Sequence, residues 1–187
     1  MLARMKHINR WGLMRNTRGE NVQEHSLQAA MIAHALALIS NRYFGGCVDA
    51  DRTAVIGMFH DCDEILTGDL PTPIKYFNST IRDAYREVES AAADKLLSML
   101  PEPMRDSYGG ILGHGGGDPA VARLVKAADT ICAHIKCIEE LAMGNSEFAA
   151  AAAATKRKID AMGMPEADLF MRDYIGAFGL SLDEFGI

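Results

Sequence analysis

The chain has 187 residues, 49% of them apolar and 24% charged, with a formal net charge of −6. That length fits one domain, residues 1–187, with enough chain to bury a substantial core. The acidic balance lacks the basic excess that gripping a nucleic-acid backbone requires, and no uncharged apolar run is long enough to span a bilayer.

In chain order, the N-terminal MLARMKHINRW has neither the continuous apolar stretch nor the cleavage site of a secretory signal. Asn21 with Glu24 three residues on has the form of a helix N-terminus, and Leu27, Ala30, Met31, His34, Ala35 and Leu38 follow at helical spacing. A second helix is predicted from Asp49 or Asp51, with Val55, Met58, Phe59, Cys62, Ile65 and Leu66 as its apolar face and TGDLPTP as its end. A third runs from near Asn78 to about Leu100, where Pro101 and Pro103 interrupt, and a short helical piece precedes the glycine-rich loop at 113–118. Asp118 and Pro119 open a helix carrying Leu124, Ala128, Ile131, Ile135, Ile138 and Leu141, which Gly144 closes. Two more helices fit Ser146–Met162, including the alanine run Ala149 to Ala154, and Pro165–Phe178. No segment alternates with period two, so the fold class is all-α: a compact bundle of about six helices. Cys47, Cys62, Cys132 and Cys137 form no C-x-x-C pair and read as free thiols of a reducing, cytoplasmic compartment.

Polar groups that interrupt apolar helix patterns are where chemistry is to be sought. His25 lies in the first turn of the first strong helix, His60 and Asp61 sit inside the apolar pattern of the second, and Asp129 is embedded in KAADTICAHI. A lone buried carboxylate costs several kcal/mol or more unless paired, and one divalent cation satisfies two imidazoles and two aspartates together. The set contains no thiolate, which disfavours a thiolate-bound structural zinc, and mixed imidazole and carboxylate suits Mn, Fe, Co, Ni or Zn.

His25, His60-Asp61 and Asp129 together resemble the H…HD…D signature of the HD-domain superfamily, and longer segments match more specifically. INRWGLMRNTRGENVQEHSLQ, HDCDEILTGDLPTPIKYFN, VKAADTICAHIKCIEELAMGN and the terminal LSLDE resemble the bacterial HD-domain 5′-deoxynucleotidases over nearly the whole chain. The resemblance implies a cytosolic homodimer that hydrolyses deoxyribonucleoside 5′-monophosphates with one divalent metal ion, such as cobalt or manganese, and discriminates against ribonucleotides. It implies that His25, His60, Asp61 and Asp129 hold the metal and that Glu64, Asp69 and Arg10 act in catalysis. It further implies that Arg10, Trp11, Asp61, Asp69, Leu70, Pro71 and Thr72 contact substrate, Arg10 at the phosphate and Trp11 at the sugar.

Each assignment has a plainer rival. Glu64 also reads as a solvated glutamate, Asp69 as a turn former after Gly68, Trp11 as core and Lys75 as a surface lysine; His7, His34 and His134 read as structure or surface, and His114 is left open. Glu64 and Asp69 are not told apart as acid and base. The 113–118 loop is more glycine-rich than the resemblance leads one to expect. The same residues also fit an HD phosphohydrolase for a cyclic nucleotide or a triphosphate, or a non-catalytic HD binding module.

Overall fold

Asparagine and aspartate side chains start the long helices. In a computed structural model, which describes residues 1–75, 77–112 and 117–185, Asn21 caps α1 (Val22–Tyr43), its Oδ1 accepting from Glu24 N at 3.0 Å. Asp49 caps α2 (Ala50–Phe59), Asn78 caps α5 (Ser79–Ser98), and Asp118 with Pro119 opens α7 (Pro119–Ala142). Between them lie two single turns, α3 (Glu64–Thr67) and α4 (Thr72–Lys75), then α6 (Glu102–Leu112); α8 (Ala149–Ala161) and α9 (Pro165–Asp173) complete the set. Among the described residues there is no strand, only an isolated antiparallel bridge between Asn9 and Asn21. No helix among them is long and apolar enough to cross a membrane.

The bundle is all-α, as the periodicity predicts, but the described residues form nine α-helices where about six were expected. The main reason is the second predicted helix, which breaks. Residues 60–63 turn more tightly than an α-helix, through hydrogen bonds from Cys62 N to Phe59 O and from Glu64 N to Asp61 O. The glycine-rich residues 113–116, His114 included, lie outside the described residues.

The core gathers on α7. Leu124, Ala128, Ile131 and Ile135 are buried there as predicted, against Ile32, Ala33 and Leu36 of α1 and Ile159 of α8. Full burial of each large aliphatic contributes about 1.5–3 kcal/mol. A second cluster, Met5, Val22, Cys62 and Leu96, lies beneath the 60–63 turn. On α1 the helically spaced set divides: Ala30 is buried and Ala35 packs against the core, whereas Leu27, Met31 and Leu38 are 50%, 62% and 50% exposed. Between Ala29 and Ile39 the helix is apolar nearly all round, so its pattern does not single out the buried stripe. Val55, Met58 and Leu66 are likewise exposed, and α2 packs inward through Thr53, Ile56 and Gly57.

α1 and α2 approach closely because residue 57 lacks a side chain. A Cβ there would lie 3.1 Å from Ala30 Cα and 3.4 Å from Ala29 O, so backbone itself would have to move. Gly57→Val is expected to cost about 1–3 kcal/mol of stability, read by urea unfolding; an unchanged midpoint would contradict the contact.

Candidate active site

The site is assembled from three helices. His25 stands in the first turn of α1, His60 and Asp61 where α2 ends, and Asp129 midway along α7 between the buried Ala127–Ala128 pair and Thr130. Their ligand atoms converge, all four within 4.8 Å of one another. The two imidazole Nε2 atoms are 3.3 Å apart. Asp61 Oδ2 lies 3.0 Å from His60 Nε2 and 3.4 Å from His25 Nε2, and Asp129 Oδ1 lies 3.3 Å from His25 Nε2. Ligands each about 2.1 Å from a shared ion stand roughly 3.0–4.2 Å from one another, so these separations suit one cation.

The donor chemistry points the same way. His60 Nδ1 is 2.7 Å from Gly57 O, and a carbonyl only accepts, so the proton sits on Nδ1 and the Nε2 lone pair faces the cluster. His25 Nδ1 is 3.5 Å from Glu20 Oε1 and has no hydrogen-bond partner of better geometry. Two lone pairs and two carboxylates thus meet with no donor between them unless His25 carries a second proton. Burial opposes that proton, and so does Arg10, yet hydrogen bonding to Asp129, Asp61 and Glu20 prevails and lifts His25 to about 10. Burial pushes Asp61 and Asp129 upward, but His60 and His25 hold the first below the usual carboxylate range, and Lys126 and His25 the second. The residues therefore fit a cation: positive charge is what the cluster lacks.

Beside the cluster opens a cleft of about 420 Å³, whose lining includes His60, Asp61, Glu64 and Asp129 together with the cations Lys75, Arg82, Arg86 and Lys126. Glu64 begins α3, with Oε2 buried and unpartnered; burial, then the neighbouring Asp61 and Asp69, push its carboxyl well above the ordinary range. Asp69 is raised by burial too, with Arg10 opposing, and lies against the Trp11 backbone. Arg10 joins the group through Asp61 Oδ2 at 3.4 Å and Glu20 Oε1 at 3.2 Å. Leu70, Pro71 and Thr72 lead from Asp69 into α4 and are not among the residues lining this cleft.

Several of these residues, Arg86 among them, were not singled out from sequence. Glu20 bridges Arg10 and His25, and only its place just ahead of the helix cap hints at this. Lys126 donates to Asp129 Oδ2 at 2.7 Å, a pair that the i, i+3 helix rule would have found. Arg82 lines the cleft from α5, where it reads as an ordinary surface charge. Lys75 is no plain surface lysine: it lines the cleft, pairs with Glu89 at 2.5 Å and lies over Tyr85. His7 is exposed, His34 is half-buried 3.4 Å from Asp51, and His134 pairs with Thr155, in keeping with structural or surface roles.

A family model described as 5′-deoxynucleotidase YfbR-like matches residues 1–178. The chain belongs to that family. The 5′-deoxynucleotidase YfbR of Escherichia coli K12 / DH10B is 51% identical over 183 residues, covering 98% of this chain and 92% of that one. Among solved structures, an HD-domain phosphohydrolase from Listeria innocua superposes with a TM-score of 0.82 at 21% identity, over 95% of this chain and 85% of the other. The cyanophage S-2L HD phosphohydrolase, solved with dA and one catalytic Zn2+ ion, gives a TM-score of 0.67 at 18% identity, over 94% of both chains. At those identities the two structures speak for a shared fold, and the YfbR-like family is established by sequence.

Asp129→Ala in this YfbR-like chain is expected to remove bound divalent metal and phosphatase activity together, while far-UV helicity largely survives. Metal content by mass spectrometry of the purified variant decides it. Wild-type metal occupancy in the variant would rule out Asp129 as a ligand.

Proposed function

We propose that this chain is a metal-dependent 5′-deoxynucleotidase, hydrolysing deoxyribonucleoside 5′-monophosphates to deoxyribonucleosides and phosphate. The observation that carries the reading is the convergence of His25, His60, Asp61 and Asp129 beside a cleft that also holds Glu64, in a chain half identical to a 5′-deoxynucleotidase along nearly its full length. His25, His60, Asp61 and Asp129 would hold one divalent cation, cobalt or manganese in this reading, which would supply positive charge to offset the negative charge on the phosphoryl oxygens.

The chain's own side chains do the rest. Arg10 turns its planar fork to the phosphate, donating to two oxygens at once, and is kept charged by Asp61, Asp129 and Glu20 even though burial opposes it. Water attacks in line with the leaving 5′ oxygen. Of the two candidate carboxyls, Glu64 is the better placed for proton transfer, since it lines the cleft and holds its proton into the neutral range. Asp69 lies against Arg10 and the Trp11 backbone and helps to aim both. Leu70, Pro71 and Thr72, which follow Asp69 outside the cleft, contact the nucleoside in this reading.

Trp11 supplies the sugar selectivity. Its ring packs tilted against Phe148, with centroids 5.3 Å apart, and its Nε1–H is buried without an acceptor in the protein, a donor left over for a ligand. A ring against C2′ leaves no room for a 2′-hydroxyl, so ribonucleotides are rejected by clash. The active form is a cytoplasmic homodimer in this reading. The exposed Leu27, Met31 and Leu38 stripe of α1 is the kind of surface a second copy covers, and four free cysteines suit a reducing compartment.

Two measurements test the reading. Phosphate release from matched deoxy and ribo 5′-monophosphates, with and without added Co or Mn, should favour the deoxy series by about tenfold or more and require metal. Stronger turnover of a cyclic diester or a triphosphate would reassign the substrate. Glu64→Gln should lower kcat by roughly 10²–10⁴ with KM little changed, and a wild-type kcat would remove Glu64 from the chemistry.

A further inference from the structure

Trp11 has a positive φ of 58°, the only non-glycine residue among those described to do so. The segment around it has little apolar anchorage: Gly12, Leu13, Thr17, Arg18 and Gly19 are exposed, Leu13 by 73%. A backbone held in a sparsely populated region persists only where the surroundings fix it. Here they fix it through polar groups. Asn16 Nδ2 donates to Trp11 O at 3.1 Å and Met14 O at 3.0 Å. Arg15 is gripped by Glu147, and Asn145 Nδ2 donates to Arg15 O at 2.7 Å. Thr17 N and Arg18 N donate to the Glu140 carboxylate at 2.8 and 3.1 Å, and Lys136 Nζ donates to Arg18 O at 2.5 Å.

At the centre is an ion pair, Lys136–Glu140, with residues 5% and 1% exposed. Glu140 accepts from Lys136, Asn145, Thr17 and Arg18, which fills its carboxylate. Lys136 also sits over Phe148, 5.6 Å from the ring that Trp11 packs against. Two of the four partners of Glu140 are backbone N–H groups of a loop more than a hundred residues away in sequence, so the buried pair does more than staple one helix turn. Asp129, Lys136 and Glu140 are seven and then four residues apart on α7, which puts them on one face of one rigid helix. The same face thus carries a ligand of the candidate cation and the clasp of the Trp11 loop.

We infer that Lys136 and Glu140 are positioning residues for substrate selectivity: they hold the Arg10–Trp11 loop at a fixed distance from the cation cluster, and so set where the nucleotide sugar can lie. The inference rests on the assignment of Arg10 and Trp11 to the substrate. This part of α7 then acts as a ruler between the phosphate end and the sugar end of the site.

Trp11 is the sole tryptophan, so its fluorescence reports the loop independently of turnover. In the metal-loaded full chain, Glu140→Gln is expected to shift Trp11 emission to the red and raise acrylamide quenching about twofold, with Mn2+ binding unchanged, as the loop loses one of its two amide acceptors and the charge that pairs with Lys136. KM for a deoxyribonucleoside 5′-monophosphate should rise about tenfold with kcat changed far less, and the deoxy-to-ribo ratio of kcat/KM should fall by a similar factor. Asn145→Ala removes the donor to Arg15 O while leaving the Lys136–Glu140 pair in place. It should move the same readouts in the same direction by less, and it carries the test if Glu140→Gln does not fold. Unchanged Trp11 emission and quenching in the folded variants would overturn the clasp. Trp11→Ala separates the two ideas. If it leaves KM and selectivity at wild-type values, the sugar assignment is lost and this inference with it. If it alters both while a folded Glu140→Gln with a loosened Trp11 alters neither, the clasp inference alone falls.

Discussion

Negative charge and lone pairs forced together between helices are what the rest of this molecule must accommodate. Asp61, Asp129 and the Nε2 atoms of His25 and His60 meet within 4.8 Å of one another, Asp129 following the buried Ala127–Ala128 step of α7. Such a group is costly to bury unless positive charge joins it. Arg10 and Lys126 supply part of that charge from the flanks, Lys126 taking the Oδ2 of Asp129 and leaving Oδ1 toward the centre. Neither lies between the two imidazoles, where the remaining demand is. The apolar contacts of α1, α2 and α7 hold these acceptors in place against their mutual repulsion, so part of the stability of the core is spent on keeping a cation site shaped.

How three helices can aim so many groups at one point turns on the end of α2. Adjacent residues on a helix diverge by about 100°, so His60 and Asp61 can both reach a common centre only if it lies beside the end of that helix. There the chain tightens at 60–63, with Cys62 buried as a small apolar pivot against Met5, Val22 and Leu96. His60 is then fixed by its own helix, through Gly57 O. Gly57 does double service, since its missing side chain also admits α1, which brings His25 within reach.

Much of this was legible in the sequence, for reasons specific to the residues. Helix starts were, because Asn21, Asp49, Asn78 and Asp118 each satisfy backbone N–H groups by a local rule that tertiary context rarely overturns. The convergence of His25, His60, Asp61 and Asp129 was, because polar residues inside apolar helical patterns need a shared partner. The buried stripe of α1 was not: Leu27 and Met31 are as apolar as Ala29 and Ala33, and only the approach of α2 at Gly57 and the packing of α7 decide which pair faces inward. Glu20 and the Lys136–Glu140 pair were not legible either. Acids and lysines at those spacings read as a solvated helix face, and what makes them otherwise is a loop folding over them from the far end of the chain.

That loop illustrates how the two halves of such a site meet different demands. In the proposed reading, the cluster beside the phosphate needs rigidity and buried charge, and takes both from helices in the core. Discrimination between sugars needs a shaped wall at a set distance, and the segment from Asn9 to Asn21 that carries Trp11 is neither helical in its middle nor apolar enough to pack by itself. A wall of that kind holds its place only if its backbone groups are bonded as fully as those of a helix. Glu140 does this from the side of α7, while the bonds from Arg10 N to Glu20 O and from Val22 N to Ile8 O do it at the base of the loop. Removing hydrogen bonds from such a segment loosens geometry before it loosens fold, because few apolar contacts depend on it.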